Sequence, residues 1–239
     1  MKILIIHEID WIKKVPFEPH HLAEIFSTKG HEVFVIDCAE PNLSEIRRGM
    51  FTTTRHNYHR LYEDASITLI RPSSLLIKGL NRLTHFLTCK KVIKKIIKKN
   101  NIDLIFLYGV ATNGVQSIQL SKEFNIPLVF RSLDVAHHLV KIPILHRIAK
   151  KYEKIVIKNA DKVLATTPEL VRYTVEMGTI NQNVDYFPLG IQSQFFKPIS
   201  KSQSLSQHLG IKDSDKIIGF VGTIYPFAGL DFLLKQFHI

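Results

Sequence analysis

Short apolar runs alternate with helical patterns along all of this 239-residue chain, and that alternation constrains the fold more than any other feature. Strands are predicted at Lys2–Ile6, Glu32–Asp37, Ile67–Arg71, Asp103–Leu107, Pro127–Arg131, Lys162–Thr166 and Val184–Phe187. Between them lie helical stretches: His20–Lys29 ended by Gly30, Leu75–Lys99, Asn113–Phe124, Ile144–Ile157, and Pro168–Met177 with proline in its first turn. Strands that are apolar throughout, rather than on alternate residues, belong in a sheet covered on both faces. The expected class is therefore α/β, a doubly wound parallel sheet. Such sheets bind ligands beyond the carboxyl ends of their strands. The loops of interest begin at His7, Tyr108, Ser132 and Thr166.

Two segments break the pattern. Ser44–Asp64 is polar and Arg-rich and reads as a loop. Pro188–Asp215 carries Ser200, Ser202, Ser204 and Ser206 with little periodicity and reads as a linker. After it, Lys216–Gly222 is predicted as a buried strand, and Gly229–Phe237 begins a helix. One strand and one helix cannot bury their own faces. The expected organisation is a domain over 1–190, a linker over 191–215, and the first strand and helix of an incomplete second domain over 216–239.

Composition narrows the class. Hydrophobic residues at 45% rule out wholesale disorder. Two cysteines, Cys38 and Cys89, are too few for a disulfide framework and fit a reducing compartment. No apolar run reaches the ~20 residues of a membrane helix, and Glu8 and Asp10 follow the first strand too soon for a signal peptide. A cytoplasmic protein is expected. The net charge of +11 is concentrated: Ala65–Ile102 has nine bases and no acid. In the helix over Leu75–Lys99, Leu76, Leu80, Leu83, Leu87, Ile93 and Ile97 are expected to form the core stripe. Lys90, Lys91, Lys94, Lys95, Lys98 and Lys99 cover the remaining surface. A basic amphipathic helix fits an anionic membrane surface, or simply a solvated face over a sheet. Nucleic acid is not expected, because no aromatics interleave with the lysines as a stacking platform requires.

Several chemistries are excluded by their missing residues. The stretch after the first strand, His7-Glu8-Ile9-Asp10-Trp11-Ile12-Lys13-Lys14, lacks the glycines of a dinucleotide fingerprint. No phosphate-cradling P-loop is present. His56, His59 and Glu63 have a helical spacing that could hold a metal, but a trio of this kind is more often a solvated face. Neither a metal nor a cofactor is expected.

A second series of short motifs runs in order along the chain. It comprises Lys29-Gly30-His31-Glu32-Val33, Ile102-Asp103-Leu104-Ile105, Asn125-Ile126-Pro127-Leu128-Val129, Ala160-Asp161-Lys162 through Thr166-Thr167-Pro168-Glu169, Phe187-Pro188-Leu189-Gly190-Ile191, and Gly219-Phe220-Val221-Gly222-Thr223 followed by Gly229-Leu230-Asp231. In that order and spacing the chain resembles the GT-B glycosyltransferases of family 4. The resemblance implies two Rossmann-like domains facing a cleft, the first holding the acceptor and the second the nucleotide sugar. It implies metal-independent glycosyl transfer with retention of configuration, in cell-surface glycan or glycolipid synthesis. The partners it implies are a nucleotide sugar as co-substrate and a glycan or lipid-linked acceptor.

Many relatives carry a His-Asp pair after the strand here spanning Pro127–Arg131. Leu133 stands at the His place and Asp134 is kept, with His137 and His138 close behind. These three are the catalytic candidates. Their plainer reading is a helix cap and solvated histidines. The substrate-binding candidates are His7, Glu8, Tyr108, Gly109, Thr167, Glu169, Gly190, Gly222 and Thr223. Thr167 and Glu169 also read as an ordinary N-cap and first-turn acid. Relatives place Arg and Lys, which bind diphosphate, where this chain has Thr223 and Ala228. The paired-glutamate donor motif would fall past Ile239, so the chain by itself is expected to be inactive. The rival class is a non-catalytic Rossmann-like binding module at a membrane surface or in a complex.

Overall fold

The structure, a computed structural model, describes residues 1–140, 143–193, 196–222, 224 and 228–236. It divides into two compact units, Met1–Gly190 and Ile191–Ile239.

The first unit is built on one eight-stranded sheet. Its strands are β1 (Lys2–Ile6), β2 (Glu32–Ile36), β3 (Thr53–Tyr58), β4 (Ile67–Arg71), β5 (Leu104–Leu107), β6 (Leu128–Ser132), β7 (Lys162–Ala165) and β8 (Val184–Tyr186). Their order across the sheet is β3-β4-β2-β1-β5-β6-β7-β8. Every pairing is parallel except that of β3 with β4. The helices are α1 (Glu18–Thr28), α2 (Ile46–Gly49), α3 (Leu80–Asn100), α4 (Gly114–Phe124), α5 (Pro143–Asn159) and α6 (Pro168–Glu176).

The alternation of side chains along a strand divides the core into two layers. Leu4, Ile6, Phe34 and Ile36 face one way and pack with Cys89, Ile93 and Ile97 of α3, Ile118 of α4 and Val156 of α5. Ile3, Ile5, Val33 and Val35 face the other way and pack with Trp11 and with Ala23 of α1. Both faces are thus covered, which is why the central strands β1, β2 and β5 are apolar on both faces beyond their first residues. Gly30 takes φ +85° after α1, the left-handed turn that its place after the helix predicts.

The polar excursion after β2 is not a plain loop. It holds a 3-10 turn at Leu43–Glu45, then α2, then β3, which lies antiparallel against β4 at the sheet edge. All of β3 is exposed except Tyr58, which is half-buried, so no apolar alternation marks it in the sequence. The His56-His59-Glu63 spacing therefore falls on a strand and the turn after it, not on one face of a helix.

The apolar stripe assigned to α3 also differs. Its core face is Asn81, His85, Cys89, Ile93, Ile96 and Ile97, while Leu80, Leu83 and Leu87 are exposed. Leu76 is buried, but it precedes the helix.

The second unit contains α7 (Gln203–His208) and α8 (Leu230–Gln236). Ser202 caps α7 by accepting from Leu205 N–H at 3.3 Å, so the serine-rich stretch is helical in part rather than all linker. Lys216–Gly222 is not a strand: Ile217, Ile218, Phe220 and Val221 are all exposed. A strand exists through its neighbours, and the described residues of this unit include none to pair with it.

Candidate functional site

The strand order reverses at β1, which has β2 on one side and β5 on the other. A doubly wound sheet opens a crevice at that point, outside the carboxyl ends. The residues there are His7 and Glu8 after β1, and Tyr108 and Gly109 after β5. All four are sequence-predicted candidates, and the fold brings them together.

His7 stacks on Tyr108 with ring centroids 5.0 Å apart and an interplanar angle of 4°. Its Nδ1 accepts from Glu8 N–H at 2.8 Å, which leaves the ring proton on Nε2. Burial, with the charges of His20 and Arg82 nearby, holds the imidazole down at about 3, so it is neutral at physiological pH. Glu8 Oε1 accepts from Thr112 N–H at 2.6 Å and Asn113 N–H at 3.1 Å, at the entrance to α4. Arg82 of α3 approaches Glu8 Oε2 at 3.6 Å. A Cβ at Gly109 would collide with Glu8 Cγ and Asn113 Oδ1, so glycine is what admits this close approach.

The crevice is rich in polar atoms without protein partners. Among the described residues, His7 Nε2, Thr112 Oγ1 and both side-chain polar atoms of Asn113, all beside Glu8, are buried and unbonded; Trp11 Nε1, Ser74 Oγ, Ser132 Oγ and both ring nitrogens of His85 are buried and unbonded elsewhere. Buried polar groups are normally paired, so a local group of orphans calls for a bound water or a polar ligand. The group holds both donors and acceptors.

Two buried ion-pair networks fix the loop after β1, and neither was anticipated from sequence. Arg131 of β6 donates from Nε and Nη2 to Glu18 Oε1 and Oε2 at 2.7 and 2.6 Å. Tyr108 Oη donates to Glu18 Oε1 at 3.1 Å, and Arg131 Nη1 donates to the Phe187 carbonyl at 2.6 Å. On the other side of β1, Arg71 bridges Asp37 and Asp10, the latter at 2.6 Å. Asp10 in turn accepts from the N–H groups of Ile12, Lys13 and Glu40 at 3.1 Å each. The signal for Arg131 was its place inside an otherwise apolar strand. Glu18 and Asp37 carry no local mark.

The catalytic candidates lie farther along the carboxyl edge, on the loop after β6. Asp134 and His138 are exposed, and His137 is buried. His137 Nδ1 meets Glu153 Oε2 of α5 at 2.7 Å and Tyr173 Oη of α6 at 3.3 Å. Glu153, fully buried, also accepts from Ala136 and His137 N–H at 2.9 and 3.1 Å. His137 and Glu153 therefore brace the loop that presents Asp134. Thr167 accepts from Leu170 N–H at 3.1 Å as the cap of α6. Glu169 is exposed and pairs with Arg172 at 3.1 Å. Gly190, exposed, ends the first unit, and Gly222, also exposed, lies in the second. Thr223 lies outside the described residues.

A separate cavity of about 140 Å³, lined by Glu45, Arg71 and Ser74 among others, lies off the crevice. It is smaller than the ~300–1,000 Å³ usual for ligand sites. Among the described residues, no group of three His, Cys, Asp or Glu is placed to hold a metal, and no helix is long and apolar enough to cross a membrane.

Comparison with known proteins bears on the family and the fold. The family model described as Glycosyltransferase Family 4 matches residues 20–195. No curated protein matches the sequence. Among solved structures, the sucrose-phosphate synthase chain from Thermosynechococcus elongatus is similar at 15% identity and a TM-score of 0.55, covering 88% of this chain and 96% of that one. HepE from Anabaena, solved in complex with UDP and glucose, is similar at 15% identity and a TM-score of 0.52. That match covers 88% of this chain and 50% of HepE, so the chain spans half of HepE's length. A HepE complex with UDP-glucose gives 16% identity and a TM-score of 0.53 over the same shares. At these identities the structural likeness speaks to the fold alone.

Proposed function

The chain belongs to glycosyltransferase family 4, and on that footing we propose that it is the acceptor-side part of an enzyme that moves a sugar from a nucleotide-sugar donor to a hydroxyl-bearing acceptor. The observation that carries this reading is the group of orphaned buried polar atoms around Glu8 and Gly109. They lie at the crevice where the sheet order reverses, and they match the donors and acceptors of a glycan or lipid-linked sugar.

The finer reading follows the family. Transfer retains configuration and needs no metal, the protein is cytoplasmic, and the product enters cell-surface glycan or glycolipid synthesis. The lysines of α3 hold it at the cytoplasmic face of an anionic membrane. UDP-glucose, which HepE binds, is the first donor to test. Asp134 faces the transferred sugar, on a loop that Glu153 and His137 hold still. As the nucleoside diphosphate leaves, negative charge develops on it. Removing one polar contact made only in the transition state lowers kcat by roughly 30- to 1000-fold with little change in KM.

The test is a transfer assay with labelled nucleotide sugars and a lipid or glycan acceptor extract, run on this chain and on the chain joined to a family-4 donor domain. Label transfer by the joined protein only, lost in its Asp134→Asn variant at unchanged melting temperature, supports the reading. Absence of transfer from every nucleotide sugar by the joined protein overturns it. An unchanged rate in the Asn variant removes Asp134 from the site.

A further inference from the structure

Helix α3 turns leucines outward and two polar side chains inward over its first two turns. A helix that covers a sheet turns apolar side chains inward and polar ones outward. From Leu80 to Leu87 that pattern is broken: Asn81 and His85 are buried and Leu80, Leu83 and Leu87 are 43%, 57% and 64% exposed, with Arg82 also exposed and Phe86 half-buried. Neither ring nitrogen of His85 finds a partner among the described residues. Beyond Cys89 the ordinary pattern returns, with Ile93, Ile96 and Ile97 inside and Lys90, Lys91, Lys95, Lys98 and Lys99 exposed.

At about 100° per residue, Leu80, Leu83, Lys90, Lys91, Lys94 and Lys98 all fall within about 60° of Leu87. One outward face therefore begins as leucine and continues as lysine. The change runs along the helix axis, not around it. The segment after β2, tied to α3 by the Asn81 Nδ2 bond to the Ala39 carbonyl at 3.3 Å and to the lead-in of the helix by the Asn42 N–H bond to the Leu76 carbonyl at 2.9 Å, also exposes Leu43, Met50 and Phe51.

We infer that the leucine end of α3 inserts into the acyl boundary of an anionic bilayer while its lysine end lies on the headgroups. This deepens the peripheral-contact reading above and rests on it. Charge complementarity selects the occupant. Between Ala65 and Ile102 there is no acid, and Glu123 of α4, at 2.5 Å from Lys94, is the acid paired with this face among the described residues. A lipid surface supplies a continuous layer of negative charge with an apolar layer directly beneath. Interfacial helices reach about 5–10 Å into that boundary, a depth suited to a leucine ridge and not to a span. The insertion also gives the outward leucines a use. The outer side of the first two turns meets lipid, while Asn81 and His85 face inward. Because α3 begins beyond the carboxyl end of β4, its leucine end lies on the same side of the sheet as the crevice, which sets an acceptor site beside the membrane.

The experiment is sedimentation of the chain with vesicles of phosphatidylcholine alone or with equimolar phosphatidylglycerol. It compares the native chain, a Leu80→Ser, Leu83→Ser, Leu87→Ser variant and a Lys90→Gln, Lys91→Gln, Lys94→Gln, Lys95→Gln variant. A Leu83→Cys variant carries an environment-sensitive fluorophore, and circular dichroism melts check that each variant folds. The expected result is binding to the anionic vesicles that survives about 0.5 M salt in part, where headgroup attraction is screened. The serine variant should lose at least about tenfold in partitioning and bind only at low salt, and the fluorophore should shift to the blue on anionic vesicles. Binding without a blue shift, or equal binding by the serine variant, overturns insertion and leaves electrostatic contact standing. No binding to anionic vesicles overturns both. A dimer that dissolves in the serine variant, with no vesicle binding, would make the ridge a contact between copies and overturn the inference.

Discussion

Glu18 and Arg131 are 113 residues apart in the chain and meet through two hydrogen bonds of 2.7 and 2.6 Å. Glu18 opens α1 and Arg131 lies inside β6, so the pair ties the end of the long loop after β1 across the carboxyl edge of the sheet. Arg131 also holds the Phe187 carbonyl just past β8 and lies over the Phe187 ring at 4.8 Å. One guanidinium therefore fixes three elements around the crevice.

Replacing Arg131 by Met should destabilise the first unit by up to about 3–5 kcal/mol, because the largely enclosed Glu18 carboxylate loses its counter-charge and keeps only the Tyr108 hydroxyl. Glu18→Gln combined with Arg131→Met should cost less than the sum of the two single changes. Urea unfolding of the four proteins measures the coupling. Additive losses would mean that the pair contributes nothing as a pair.

Gly109→Ala should lower stability by about 1–3 kcal/mol, as overpacking does. The new methyl meets Glu8 Cγ and Asn113 Oδ1, and Glu8 is held by the Thr112 and Asn113 N–H groups. Thermal unfolding tests this. A melting temperature unchanged from the native chain would show that the crevice has room to yield.

Acid should destabilise the protein well before its carboxylates titrate. Burial lowers His7 to about 3 and His20 and His85 to about 4. In the unfolded chain an imidazole takes up its proton near 6.5. Between those values the unfolded state binds more protons, so stability is full above about pH 6.5 and falls as pH drops towards 4. Each histidine contributes a slope of up to about 1.4 kcal/mol per pH unit. Melting temperatures recorded from pH 8 to 4.5 should fall steeply below 6.5, and a flat profile would contradict the burial.

Both thiols should be inert in the native protein. Burial pushes Cys38 and Cys89 up to about 12, and both are almost fully enclosed. The thiolate is the reactive form. Ellman's reagent should therefore label neither at pH 7.5 until denaturant is added, and prompt labelling of either would show that the region opens.

What could be read from the sequence was what a local pattern encodes. The central strands β1, β2 and β5 are apolar on both faces because both faces are covered, and Thr167 announces α6 because a cap acts within three residues. The rest depends on distant partners. Glu18 and Arg131, or Glu153 and His137, reveal their roles only once the chain has closed. The exposed β3 has no apolar period to detect. In α3, leucines at helical spacing suggested a core stripe, yet the sheet took Asn81 and His85 instead. Lys216–Gly222 has the composition of a strand without a neighbour to make it one. The crevice was legible as a place, since strand ends and loops mark it. Its orphaned atoms and its braces were not.

The edge strand β3 has a bearing on how the protein behaves at high concentration. It covers β4, a short apolar parallel strand whose backbone groups would otherwise lie open along one side of the sheet. Its own outward face offers little to a second molecule. The residues from Thr53 to Tyr58 are polar or aromatic, the register breaks between Arg55 and Tyr58, and Asn57 takes φ +51°. A bent, charged border of this kind prevents one sheet from extending into the next and so opposes aggregation.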